Sequence, residues 1–421
     1  MHRYGWAWFG LASILFLPVF VDLINGILIY KTNSSLSFGV LYRGGLFAFL
    51  LAFLFLIKEK WLTLYGVILV GLFLVGLIVW TATGLVKPSY DFSVIIKVLF
   101  PTVILAFLFF INERIHVTAD QLINMFLGFC FVASVAVVFS LITGIGINTY
   151  GNDEVSYSYG TKSLFKAQND LGITLLVGYT FAFYKLFKSF RLRNLILATL
   201  IIVALVALST RAGIIGAFAV TVGFSIAFFF SPTTDLRLTI PLRLILMGVG
   251  LLLMVILLYQ FIQLISEYNY LIKKFEALAK EHPREKLQSA GMVVLEKRPW
   301  INQLFGEGAY GFGKGVAKMP AGLRKINLNG KMIEIDYIDL FGNYGLLFTL
   351  VFYTVPLVAF GKSVLNFFQS RTLQQLAIVL AFTVLLGHSF LAGHVFMTPM
   401  VAGPLALILF LSFANPEREA R

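Results

Sequence analysis

Apolar residues run along this chain in stretches of membrane length, and one long polar stretch, 266–336, interrupts the series. A hydrocarbon core about 30 Å thick takes roughly 20 apolar residues of α-helix to cross. On that measure the pattern predicts helices over approximately 6–30, 38–57, 61–80, 93–111, 122–143, 171–187, 194–209, 212–230, 241–265, 338–360, 374–393 and 397–413, about twelve spans in all. Between the seventh and eighth the only polar interruption is Ser209-Thr210-Arg211, in an apolar run too long for one crossing. Inside the polar stretch, 268–279 and 284–296 have helical composition, separated by His282-Pro283, and Arg298-Pro299 ends the second. The expected fold is an all-α polytopic membrane protein. Its expected parts are spans one to nine in 1–265, an external loop subdomain in 266–336, and spans ten to twelve with a short tail in 337–421.

Composition agrees with lipid as the solvent. Hydrophobic residues make up 59% and charged residues 13% of 421, with a mean hydropathy of +0.89, more apolar surface than a soluble domain can hide. Trp61 and Trp80 bracket one span, as interfacial belt residues do. The single Cys130 lies in an apolar run, which leaves no disulfide framework and no cysteine metal site. The opening MHRYGWAWFG leads on through 11–30 without an A-x-A-like cleavage site, so the first apolar run is expected to be a retained span. The net charge of +13 fits a protein that binds anionic lipid heads or phosphates, although positive-inside loops alone supply much of it. With both ends cytoplasmic, the inside loops hold Lys58/Lys60, Arg114, Lys188/Arg191/Arg193, Arg237/Arg243 and Lys362/Arg371. The opposite short loops are poorer, with Lys31, Lys87, Lys162/Lys166 and Arg211. This orientation puts Arg211, 144–170 and all of 266–336 on the outer face.

Candidate chemistry gathers on that face. An arginine near membrane depth costs several kcal/mol and usually faces a cavity or a partner. Arg211 sits between Ser209-Thr210 and the small Ala212-Gly213, and reads either as a guanidinium clamp for a lipid-linked phosphate or as a snorkelling residue at a helix end. Arg284 opens the external helical segment beside Lys280, Glu281, Glu285 and Lys286, and by composition alone it is one more solvated charge. The glycines from Gly306 through Gly308 to Gly315 lack the preceding strand and following helix of a phosphate loop. They read instead as a flexible turn closing over a substrate. Glu334 and Asp336 immediately precede a span, with Asp339 one helical turn inside. One of them could be a general base toward a sugar hydroxyl, or the pair could neutralise an arginine structurally. His388 and His394, six apart, do not share a helix face, which disfavours a two-histidine metal site. Each could act as a base or donate to a phosphate. Asn169 and Asp170 open span six and could bind sugar hydroxyls, or cap that helix. No catalytic triad, cysteine nucleophile, DxD motif or metal cluster is apparent, so no metal and no cofactor are expected.

In this arrangement the chain resembles the O-antigen ligase and O-antigen polymerase superfamily of bacterial membrane glycosyltransferases. The resemblance covers most of the chain: about twelve spans, with the long outer loop between the ninth and tenth. LSTRAGIIGA looks like the family's Ser-x-Arg-small segment, and Arg284 matches an arginine that begins the outer helix fifteen residues before a proline. RPWINQLFGEGAYGF is similar to a P-x-x-G-x-G-x-x-x-F turn, and EIDYIDLFGNYGLLFTL to the segment opening span ten with an aromatic–Gly-Leu-Leu signature. Many ligases carry His-Asn where this chain has Glu334-Ile335-Asp336, a departure that favours a polymerase-like or exopolysaccharide branch with an acidic residue, His388 or His394 as base. The resemblance implies a GT-C-like fold in the bacterial cytoplasmic (inner) membrane. It implies a glycan donor on undecaprenyl pyrophosphate and attack by an acceptor hydroxyl with inversion. Arg211 and Arg284 would stabilise the departing pyrophosphate without a divalent ion. The implied partners are the lipid-linked oligosaccharide, an acceptor glycan or glycolipid, membrane lipids, a flippase and a chain-length regulator, and no nucleic acid.

The alternatives are a ligase transferring finished glycan to lipid A-core, a peptidoglycan polymerase of the shape and division type, and a lipid-linked oligosaccharide flippase or transporter. A peptidoglycan polymerase would usually have fewer spans, and its loop motif is not found. Transporters tend to show paired repeats and midplane sites. Here the halves look dissimilar and the polar residues gather at one face.

Overall fold

The computed structural model describes residues 5–32, 38–150, 159–230, 248, 283–318, 333–393 and 395–414. In chain order its helices are α1 (Gly5–Leu15), α2 (Pro18–Thr32), α3 (Phe38–Leu51), α4 (Lys60–Ala82), α5 (Pro88–Ile115), α6 (Ala119–Thr143), α7 (Gln168–Lys188), α8 (Leu192–Leu208) and α9 (Arg211–Phe230). After the next described segment begins come α10 (Pro283–Glu296), α11 (Trp300–Phe305), α12 (Gly308–Ala317), α13 (Asp336–Ser370), α14 (Leu373–Leu391) and α15 (Pro399–Ala414). A short antiparallel hairpin, β1 (Asn148–Tyr150) and β2 (Tyr159–Thr161), pairs Asn148 with Thr161. Eleven of the expected apolar segments lie on these helices. The segment 241–265, and the helix expected over 268–279, lie outside the described residues.

Local chemistry sets the helix ends. α5 starts on Pro88, whose missing N–H costs nothing in a first turn, and Asp91 Oδ2 accepts the Lys87 N–H at 2.9 Å. α6 opens with a capping box in which Thr118 and Gln121 each satisfy the other's backbone amide. α8 stops at Ser209, which is left-handed at φ 55°, and α9 begins two residues later. The polar interruption Ser209-Thr210-Arg211 is thus a helix break, as the pattern predicts.

α5 is the central post. Of its apolar window 89% is buried inside the protein, against 22% for α3 and its 3-10 extension and 33% for α4, so α3 and α4 turn most of their surface outward. Among the described residues seven helices are long and apolar enough to cross a membrane, or eight with α1–α2 as one bent span. This is an all-α polytopic membrane protein. α8, the 212–226 part of α9, and α15 are shorter. At about 1.5 Å per residue the 17 residues of α8 reach roughly 25 Å, just under the hydrocarbon thickness.

The alternating helices sort their connections to two ends. The lower end holds the turns near 58–60, 116–118, 189–191 and 371–372, where Lys58 N meets Glu113 and Lys362 reaches the Phe413 carbonyl. The upper end holds 83–87, 144–150, 159–167, 209–210, 392–393 and 395–398, together with α10, α11 and α12. There Gly26 lies against the Leu164 carbonyl, Gly160 against Ser209, and Gly393 against Glu334.

Four expectations are corrected. The first run is not one straight helix: α1 and α2 meet at 49°, because Pro18 cannot continue the hydrogen-bond ladder of α1. Span ten is longer than 338–360 and is bent at Gly345, with φ 82° and ψ 177°. The glycine-rich run is no flexible turn; its residues from Gly308 onward form α12. Gly311 packs against Leu85 there, so tertiary contact overrides the poor helix propensity of glycine. Trp80 is no lipid-facing belt residue, being 0% exposed, with its Nε1 donating to the Phe305 carbonyl at 3.0 Å.

Candidate functional site

Three polar knots occupy the upper end. The first docks α10–α12 onto the bundle. α11 begins after Pro299 and ends on Gly306, at φ 76°. A Cβ on Gly306 would strike the Asn343 carbonyl, and one on Gly345 the backbone of Leu304 and Gly306. The glycines of the P-x-x-G-x-G turn and of the aromatic–Gly-Leu-Leu signature therefore interlock, and only glycine fits either position. Arg298 is buried: Nη1 donates to the Gly342 carbonyl at 2.9 Å, Nη2 lies 3.1 Å from Glu307 Oε2, and the guanidinium stacks on Phe312. Burial pushes Arg298 down to about 10, and the Glu307 carboxylate opposes that shift. Asp91 Oδ1 accepts the Tyr310 N–H at 2.9 Å. One carboxylate thus closes the first turn of α5 and fastens α12 to it. Gly308, expected to touch substrate, has φ 73° and lies against Asp91 and Trp80.

The second knot joins the start of α13 to the end of α14. Asp336 is 1% exposed, and its Oδ2 accepts the amides of Val395 at 3.0 Å and Phe396 at 3.2 Å. Asp339 accepts the amides of Ile333 at 2.8 Å and Glu334 at 3.0 Å. These bonds hold Glu334 in the left-handed region at φ 66°, a conformation that costs a non-glycine residue energy. His388, in the last turn of α14, places Nδ1 2.7 Å from the Gly393 carbonyl. That oxygen only accepts, so Nδ1 carries the proton of this bond. A cavity of about 10 Å³ lined by Tyr90, Phe312, Asp339 and Asn343 lies between this knot and the first.

The third knot surrounds the starts of α7 and α9. Asn169 and Asp170 stand in the first turn of α7, whose N-cap residue Ala167 makes no side-chain cap. Lys97 lies within electrostatic reach of Asp170, Lys166 and Arg43, and Arg43 Nη2 bridges both oxygens of the buried Asp22 at 2.7 Å. Gly172 faces Thr210 Oγ1, which brings the α8–α9 break onto α7. Arg211 is the first residue of α9 and Arg284 lies in the first turn of α10. The side chains of Arg211 and Arg284, and all of His394, lie outside the described residues.

Helix geometry relates the second and third knots. Gly223 of α9 packs against Leu380 of α14. Counting 1.5 Å per residue from that contact, Arg211 rises roughly 18 Å and His388 roughly 12 Å toward the same end. The upper end thus combines a helix N-terminus that favours anions, the cations Arg43 of α3 and Lys97 of α5, and a strained Glu334 that is joined to His388 through Gly393. Such a set can hold a phosphate-bearing headgroup and take up a proton. Sequence reasoning passed over Arg298, Asp91, Asp22, Arg43 and Lys97. The available signals were an arginine directly before a helix-breaking proline, and charges placed inside otherwise apolar runs.

A family described as O-antigen ligase like membrane protein matches residues 7–282, well over half of the chain. No curated protein matches it. The chain belongs to the O-antigen ligase-like family of membrane proteins, and the match ends just before α10.

Proposed function

We propose that this member of the O-antigen ligase-like family is a polysaccharide repeat-unit polymerase. In this reading it transfers a glycan from undecaprenyl pyrophosphate to a sugar hydroxyl, with inversion, at the outer face of the bacterial cytoplasmic membrane. Family membership makes glycan processing in a membrane the class of activity. The observation that carries the finer reading is the gathering of Glu334, His388 and the α7 and α9 starts at one end of the bundle. The acceptor hydroxyl gives its proton to a base as its oxygen bonds to the anomeric carbon. The bond from that carbon to the pyrophosphate oxygen breaks, and its electron pair leaves with the phosphate. Arg211 and Arg284 stabilise the developing charge, which needs no divalent ion. Glu334 or one of the histidines, His388 or His394, is the base. Asp336 and Asp339 act as positioning residues, because their oxygens already accept backbone amides. Asn169 and Asp170 bind sugar hydroxyls. The acidic Glu334-Ile335-Asp336 in place of His-Asn supports polymerisation over transfer to lipid A-core.

The test is a reconstituted reaction in liposomes, with an undecaprenyl-pyrophosphate oligosaccharide and a chelator. A ladder of products of increasing length is expected. Transfer only after lipid A-core is added would mean a ligase. Labelled lipid crossing the bilayer without any transfer would mean a flippase.

A further inference from the structure

A groove at the lower end belongs to none of the three knots. It has a volume of about 780 Å³ and lies where α6, α7 and α8 meet, a size usual for small-molecule sites. Its charged wall is Asp120, Lys185, Lys188, Arg191 and Arg193. Asp120 is engaged: Lys185 and Lys188 lie 2.8 and 2.9 Å from its two oxygens, and Tyr184 donates to it at 3.1 Å. A single carboxylate therefore faces four cations. Arg191 is the N-cap residue of α8, and its side chain does not cap the helix. Both Arg191 and Arg193 are exposed, and they flank a helix N-terminus, the end that attracts anions. Asn194 ties the α7–α8 turn by donating to the Lys185 and Ser189 carbonyls, so the basic edge is fixed by the chain. The rest of the wall is apolar, including Leu127, Phe131 and Ile196, with Phe131 47% and Ile196 53% exposed.

We propose that this groove binds one anionic phospholipid. Arg191 and Arg193 hold the headgroup phosphate against the α8 N-terminus, and an acyl chain lies along Phe131 and Ile196. Charge complementarity selects an anionic head, and the apolar wall selects a lipid over a free phosphate. Lys185 and Lys188 stay on Asp120 and form the back of the site. The proposal does not depend on the glycosyl-transfer reading.

The test is native mass spectrometry of the full chain, released from nanodiscs of phosphatidylglycerol or of phosphatidylcholine. One phosphatidylglycerol is expected to stay bound where phosphatidylcholine does not. Removing two surface charges by Arg191→Ala with Arg193→Ala should weaken that adduct about thirtyfold. The charge-keeping Arg191→Lys with Arg193→Lys should retain most of it. Excess inorganic phosphate should leave the wild-type adduct in place. Equal retention of both lipids, an unchanged adduct in the double alanine variant, or displacement by phosphate would each overturn the proposal. A matched thermal midpoint for the three proteins separates lost binding from lost folding.

Discussion

The two ends of the bundle use charge in opposite ways. At the upper end Asp336 and Asp339 are 1% and 2% exposed, and they accept backbone amides of the segments they fasten. At the lower end the side chain of Asp120 is 40% exposed and that of Lys188 39%, and Asp120 is held by other side chains. A buried carboxylate bound to backbone fixes where the chain goes. An exposed one among lysines only tunes a surface. The upper end is therefore a built geometry in which main-chain and glycine contacts fix the segments that carry Glu334 and His388. The lower end is a charged margin over a groove.

Variants sharpen the contrast. The largest effect is expected from Arg298→Met, which removes the buried guanidinium from the Gly342 carbonyl and leaves the partly buried Glu307 without its cation, and should cost about 3 kcal/mol. A steep fall in the thermal midpoint in detergent would register it, and an unchanged midpoint would break the picture of α10–α12 as a docked unit. Next come Arg211→Ala and Arg284→Ala. Each should lower transfer at least about a hundredfold, the scale of losing one stabiliser of developing charge, with membrane insertion intact. Wild-type product from both would remove the leaving-group assignment.

Gly345→Ala should cost about 1–3 kcal/mol from its dihedral angles alone, before the clash with Leu304, and should make 283–318 more open to protease. Gly361→Ala is the control, because nothing lies near its Cβ position. The smallest effect belongs to the lower end. Asp120→Asn should change stability by about 0.2–1 kcal/mol, less still at high salt. A loss as large as that of Arg298→Met would erase the distinction between the ends.

The apolar skeleton was readable because lipid demands it: a span must be long and apolar, and that leaves its mark on any sequence. The break at Ser209 was readable for the same reason, as the lone polar interruption in a run too long for one helix. What escaped was which neighbour each residue meets. Asp91 and Arg298 look like ordinary charges, yet their partners are the Tyr310 amide and the Gly342 carbonyl, far away in the chain. Trp80 looked like a belt residue because periodicity marks the end of a span and does not say whether lipid or protein waits there. The glycine-rich run misled in the other direction. Its composition suggests mobility, while Gly306, Gly308 and Gly311 owe their places to close contact with Asn343, Asp91 and Leu85. Glu334, Asp336 and Asp339 stand out in the sequence as one group and His388 as another, and the fold joins the two through Gly393. Nothing local could have shown that Glu334 and Asp336 meet the segment after α14 through Gly393 and Val395.

On the proposed function, the upper end holds the lipid-linked donor. A photo-crosslinkable undecaprenyl-pyrophosphate oligosaccharide, reacted with the full chain in liposomes and mapped by peptide sequencing, tests it directly. Label on the starts of α7, α9 and α10 and around 333–339 is the result this account predicts. Label concentrated at the lower groove, around Lys188 and Arg193, would contradict it.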